Sequence, residues 1–151
     1  MATNREILFH SLLGDRGQPY IWGGGSGSVD APGTGWDCSG FVNDHLMDHG
    51  LLADQDGHGP SSQSLYTMFK ASEVPLDTVP DLGDLLFFGT SKSNITHVMM
   101  ALNHSMCIGA QGGGSNTNSV SEAVRDEARV RVRRINYRSD LRAIVRLTWP
   151  M

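Results

Sequence analysis

The sequence predicts an α+β domain, with helices in the first half packed on an antiparallel sheet made by the second half. Three observations predict it. Up to residue 72 the apolar residues recur three and four apart, the spacing of one helix face. After Pro80 they fall into short runs bounded by Gly, Asn and Ser, the pattern of strands. The chain has 151 residues, 39% of them apolar, enough for one core and too few for two, so residues 1–151 form a single domain. Helices first and strands second suit a meander sheet with helices against it better than alternating βαβ units.

The elements follow in order. Residues 3–13 carry Ile7, Leu8, Ser11 and Leu12 on one helical face and stop at Gly14, a helix-ending residue. Residues 14–37 are rich in Gly, Ser, Asp and Pro and form a long loop; loops of this length in compact domains are commonly functional. Residues 39–49 place Phe41, Val42, Leu46 and Met47 at helical spacing, and Gly50 closes that helix. Residues 61–72 form a third helix, with a serine cap and an apolar stripe of Leu65, Met68 and Phe69. Leu85 to Phe88 is a continuous apolar strand ending at Gly89. Thr96–Leu102 and Ser105–Gln111 are the next two strands, joined by a tight turn at Asn103-His104. Gly112 to Asn116 is a flexible loop. Val130 and Val132 alternate with arginines in a fourth strand, and Leu141–Leu147 is a fifth.

Composition narrows the function. No apolar run approaches the roughly 20 residues of a membrane span. The start, Met1 to Glu6, has no basic segment followed by an apolar one, so no secretory signal peptide is expected. Net charge is −4, with the arginines concentrated after residue 100. Arg131, Arg133 and Arg134 are not interleaved with aromatics, so they read as a solvated strand face and not as a nucleic-acid surface. His45 and His49 have metal-ligand spacing but lack the Glu of an HExxH motif; they read as exposed helix histidines, and no metal or cofactor is expected. Gly23-Gly24-Gly25 lacks the Lys-Ser/Thr of a phosphate loop.

The chemistry centres on Asp37-Cys38-Ser39-Gly40-Phe41-Val42. Its cysteine stands in a polar turn at the start of a helix, where peptide dipoles and free N–H groups favour a thiolate. His97, opening a strand, supplies a base, and a thiolate–imidazolium pair is the expected resting form. The chain has two cysteines and no CxxC pair; a Cys38–Cys107 disulfide would consume the nucleophile, and Cys107 sits in an apolar strand as core.

Four segments together carry a resemblance. Pro19-Tyr20-Ile21-Trp22-Gly23-Gly24, Asp37-Cys38-Ser39-Gly40-Phe41, Gly83-Asp84-Leu85-Leu86-Phe87-Phe88 and His97-Val98, in that order, resemble the NlpC/P60 family of cell-wall peptidases, from about Arg5 to Leu147. The resemblance implies a circularly permuted papain-like fold and hydrolysis of amide bonds in peptidoglycan stem peptides, most commonly between D-glutamate and meso-diaminopimelate. By match to the motifs, Cys38 is the nucleophile and His97 the general base. Tyr20 matches a tyrosine near the nucleophile whose hydroxyl helps bind substrate or the oxyanion. Trp22, Asp37 and Ser39 lie in the same motifs and join that set, with loop packing as the structural alternative for Tyr20 and Trp22. Gln63 matches a region that lines the substrate groove. Family members usually carry a polar third residue, often His, where this chain has Gly109. Gln111, two residues on and so facing the same side of a strand, is the candidate to orient His97.

Three function classes follow from this reading. The first is a D-glutamyl-meso-diaminopimelate endopeptidase. The second is an N-acetylmuramoyl-L-alanine amidase or other thiol acyl-transfer enzyme on the same fold. The third is a non-catalytic wall-binding module. A lone catalytic domain resembles a phage endolysin or tail lysin, or an interbacterial toxin with an immunity protein as partner; holin, phage tail or secretion system would then deliver it to the wall.

Overall fold

The computed structural model describes residues 3–24, 35–53, 59–114 and 116–150. Four α-helices, α1 (Asn4–Gly14), α2 (Cys38–Asp48), α3 (Ser62–Phe69) and α4 (Val120–Arg125), accompany six strands. The strands are β1 (Glu73–Val74), β2 (Leu85–Ser91), β3 (Asn94–Ala101), β4 (Met106–Gln111), β5 (Arg129–Arg134) and β6 (Leu141–Val145). All pairings are antiparallel, in the order β1-β6-β2-β3-β4-β5. The expected meander is β2 to β5. The last strand does not extend it but returns to the free side of β2, and there it recruits the two-residue β1 as a sixth strand.

Alternation along the central strands sorts their side chains onto two faces. Leu85, Phe87, Val98, Met100, Ile108 and Ala110 join Leu8 and Leu12 of α1, Phe41, Val42 and Leu46 of α2, and Leu65 of α3 in the main core. Leu86, Phe88, Met99, Ala101, Cys107 and Ile144 form a smaller cluster on the other face, covered by Ile135, Tyr137 and Leu141. Because no polar side chain is needed on either face of β2, its sequence Leu85-Leu86-Phe87-Phe88 is apolar throughout.

The helices start where the sequence places them. Thr3 and Glu6 form a reciprocal capping box on α1, Asp37 caps α2 and Ser61 caps α3. Three details differ from expectation. Ile7 and Met68 are exposed, because only Leu8 and Leu12 of α1 and Leu65 and Tyr66 of α3 face the sheet. The third helix ends at Phe69 and tightens to a 3-10 turn over Lys70–Ser72. Helix α4, in a segment with little periodicity, was not foreseen; Ser119 caps it by accepting from the Glu122 amide.

The Gly83-Asp84 pair has a structural explanation. Buried Asp84 accepts two hydrogen bonds from the Arg146 guanidinium, at 3.0 and 2.7 Å, and a third from the Asp81 amide. Gly83, at φ +89°, donates to the Ala101 carbonyl while its own carbonyl accepts from the Trp149 indole. This corner fixes the entry of β2 and, through its neighbour β3, the position of His97.

Candidate active site

Asp37 builds the start of α2. Its Oδ1 accepts from the Gly40 amide at 2.8 Å and from the Ser39 hydroxyl at 3.4 Å, while Oδ2 accepts from the Gly23 amide at 3.2 Å. One carboxylate thus caps the helix and ties the Trp22–Gly24 turn to it. The Gly24 carbonyl also accepts from the Asp37 amide, and it passes so close to the helix that a Cβ on Gly40 would lie 2.0 Å from its oxygen. Glycine at position 40 is required by that crossing. Asp37 and buried Ser39, placed by sequence in the substrate and oxyanion set, have these polar groups engaged in holding the turn.

Cys38 is therefore the first residue of α2, half-buried, with its sulfur against the backbone N–H of Val98. Val98 is the residue after His97, so the thiol and the histidine strand meet here. Burial pushes the Cys38 thiol up to about 12, and the Asp37 charge adds to it; the N–H groups of Val98, Ser39 and Cys38 itself act in the opposite direction. The helix-start amides are present as expected and favour the thiolate, while desolvation works against them.

His97 stands at a β-bulge. Phe88 pairs with His97 and Gly89 with Ile95, leaving Thr96 as the extra residue of β3. The bulge lets Ile95 and Val98, three apart, both enter the main core. The His97 ring packs against Phe88 at 5.5 Å, and its Nε2 lies 2.9 Å from the Tyr137 hydroxyl. Burial pulls its pKa down to about 3, and the nearby Arg138 charge pulls the same way against Asp140. Burial thus favours the neutral form of both the imidazole and the thiol. No hydrogen bond joins them among the described residues; such contacts are often long until substrate binds.

Tyr20 borders the same corner. Its ring is buried under Gly113, and its hydroxyl is raised above the usual tyrosine range chiefly by burial, with the Asp37 charge adding to it. It remains an O–H donor beside the nucleophile. Trp22 is 52% exposed, held through its amide to the Thr117 carbonyl at 2.7 Å.

Gln63 is used differently from expectation. Its Oε1 accepts from the Ile95 amide at 2.7 Å and its Nε2 donates to the Lys92 carbonyl at 3.1 Å. Both ends of the amide clamp α3 to the β2–β3 hairpin. Gln111 lies at the end of β4, buried. The β3–β4 pairing covers Met100 with Ile108 and Ala101 with Cys107, and Met99 lies against Gly109. The His97 nitrogen that is engaged bonds Tyr137, not Gln111.

Tyr137 escaped the sequence reading because it lies 40 residues from His97, in a 3-10 turn after an arginine-rich strand. His45 also corrects an expectation: it is buried, bonded through Nε2 to Asp15 at 2.7 Å and edge-on to Phe41, not an exposed helix histidine. Its neighbour His49 turns back, its Nδ1–H donating to the His45 carbonyl at 2.9 Å. Among the described residues no cluster of His, Cys, Asp or Glu could hold a metal ion, and no helix is long and apolar enough to cross a membrane.

A cysteine heading a helix that packs on an antiparallel sheet, with a histidine on the strand beside it, defines a cysteine peptidase domain. The chain belongs to the NlpC/P60 family, whose model matches residues 17–134. It is 35% identical over 98 residues to the bifunctional muramidase/DL-endopeptidase CwlT of Bacillus subtilis, covering 62% of this chain and 25% of that one. It is also 35% identical over 86 residues to a gamma-D-glutamyl-L-lysine dipeptidyl-peptidase of Bacillus cereus, covering 56% of this chain and 22% of the other. The chain thus spans about a quarter of the length of these relatives. The fold is shared with the NlpC/p60 domain of the peptidoglycan hydrolase SagA, at TM-score 0.63 and 20% identity, covering 96% of this chain and 100% of that one. It is shared equally with the P60 domain of a M. avium subspecies paratuberculosis antigen, at TM-score 0.65 and 23% identity, covering 94% and 93% of the two chains.

Proposed function

We propose that this domain hydrolyses the amide bond between D-glutamate and the diamino acid of peptidoglycan stem peptides, with meso-diaminopimelate as the diamino acid. The observation that carries the reading is the Cys38 sulfur at the start of α2, against the peptide that joins His97 to Val98. The names of the two relatives, a DL-endopeptidase and a gamma-D-glutamyl-L-lysine dipeptidyl-peptidase, support the bond chosen.

Burial favours the neutral forms of Cys38 and His97, and the proposed mechanism starts from them. His97 takes the Cys38 proton as the sulfur attacks the carbonyl carbon, so thiolate forms only with substrate in place. The Cys38 amide and the Tyr20 hydroxyl are the donors nearest the developing oxyanion. The imidazolium then protonates the departing amine as the C–N bond breaks. Water, deprotonated by His97, attacks the thioester and releases the carboxylate. Trp22 offers an exposed apolar face beside the nucleophile for the substrate chain.

Mass spectrometry of purified meso-diaminopimelate peptidoglycan digested by wild type and by Cys38→Ala tests the reading. Fragments cut after D-glutamate, made by wild type alone, are the expected result. Cleavage at the lactyl–alanine bond would make the enzyme an amidase. Identical digests from both proteins would remove Cys38 as the nucleophile.

A further inference from the structure

We infer that the Tyr137 hydroxyl is the positioning group for His97, taking over the task that a polar residue at position 109 performs in related chains. The inference rests on the proposed role of His97 as general base.

A general base at this site must have an unprotonated nitrogen facing the thiol. An imidazole has two nitrogens, and a hydrogen bond to one decides which carries the proton. Position 109 cannot supply that bond. Glycine has no side chain, and the space above it is filled: a Cβ there would meet the Met99 Sδ at 2.5 Å. The structure supplies it from the opposite direction, with the Tyr137 oxygen 2.9 Å from Nε2.

Tyr137 is itself held in place. Its ring packs edge-on against Phe88 at 5.8 Å, and Phe88 also carries the His97 ring. The Arg133 guanidinium covers the phenol ring at 5.0 Å. The turn that presents it is pinned where the Ile135 amide donates to the Ser105 carbonyl at 2.8 Å. Arg138, next in sequence, is locked to Asp140 by two hydrogen bonds of 2.7 and 2.6 Å and lies over the Phe88 ring. The phenol is thus a rigid partner and not a surface tyrosine that happens to reach the histidine.

The proton arrangement follows. The Tyr137 oxygen also accepts from the Arg138 guanidinium; in the arrangement proposed, Nε2–H is a second donor to that oxygen, and the phenol keeps its own proton. Nδ1 then has its lone pair free for the Cys38 S–H. On attack the thiol proton moves to Nδ1, and from there to the amine nitrogen of the leaving group. Tyr137 exchanges no proton in this cycle; it fixes the tautomer and the ring plane.

Long-range proton–nitrogen NMR of the nitrogen-15-labelled chain reads the tautomer directly, with the His97 signals assigned by their loss in His97→Gln. The proposal expects wild type to hold the proton on Nε2. It expects Tyr137→Phe, which keeps the ring packing, to populate both tautomers. On muropeptides carrying the D-glutamyl–meso-diaminopimelate bond, the same variant should lose ten- to a hundredfold in kcat with KM within about twofold. A proton on Nδ1 in wild type overturns the proposal without any variant. So does Tyr137→Phe with unchanged tautomer and kcat. If wild type cleaves no such substrate, the proposed reaction fails, while the spectra still decide the role of Tyr137.

Discussion

Met99 occupies the volume that a side chain at Gly109 would need, its sulfur 2.5 Å from where a Cβ would stand. The two residues face each other on neighbouring strands, on the face of the sheet away from the helices. Gly109 is therefore matched to a large, fully buried neighbour. The group that does reach His97 Nε2 is the Tyr137 hydroxyl, 2.9 Å away.

Gly109→Ala should destabilise the domain by about 1–3 kcal/mol, the cost of forcing an extra carbon into a packed core. In a Met99→Ala background most of that penalty should vanish. Urea midpoints for the two single variants and the double variant give the coupling energy, expected above about 1 kcal/mol. Additive effects would show that the two side chains do not compete for the same space.

Cys38 should alkylate slowly at neutral pH. An unperturbed thiol reaches its limiting rate just above pH ~8.5. With burial holding the Cys38 thiol up at about 12, the iodoacetamide rate should rise about tenfold per pH unit from pH 7 to 10, with no plateau. Peptide mapping separates Cys38 from Cys107, which is fully buried and should remain unmodified. A plateau below pH 7 would establish a resting thiolate and restore the ion-pair mechanism.

Gln63→Ala should act on stability and not on substrate binding. It removes an acceptor from the Ile95 amide and a donor from the Lys92 carbonyl, a loss of about 1–3 kcal/mol when the buried amide is left unpaired. The expected result is a lower urea midpoint with KM within about twofold of wild type. A large rise in KM at unchanged stability would return Gln63 to the substrate groove.

Much of this site is legible in the sequence because it is local. Asp37, Cys38 and Gly40 lie within four residues, and a helix start needs a capping acceptor, free amides and, here, a glycine under a crossing chain. The apolar run Leu85–Phe88 and the helical spacing in residues 39–49 likewise betray their elements through their own periodicity. The roles of Gln63, His45 and Tyr137 are not legible in this way. Each depends on a partner far along the chain: Gln63 on Ile95, His45 on Asp15, Tyr137 on His97. Sequence spacing carries no trace of such a contact.

The sequence by itself determined the fold class, the family and the place of Cys38 at the start of a helix, because these rest on periodicity, on capping chemistry and on short contiguous motifs. The tertiary structure alone decided how deeply the pair is buried and which group partners the histidine. Protonation depends on how much water is excluded around Cys38 and His97, a property of packing from many segments. The partner depends on register: a bulge of one residue in β3 and the return of the chain after β5 bring Tyr137 to Nε2, where neighbouring residues in sequence supply no such group.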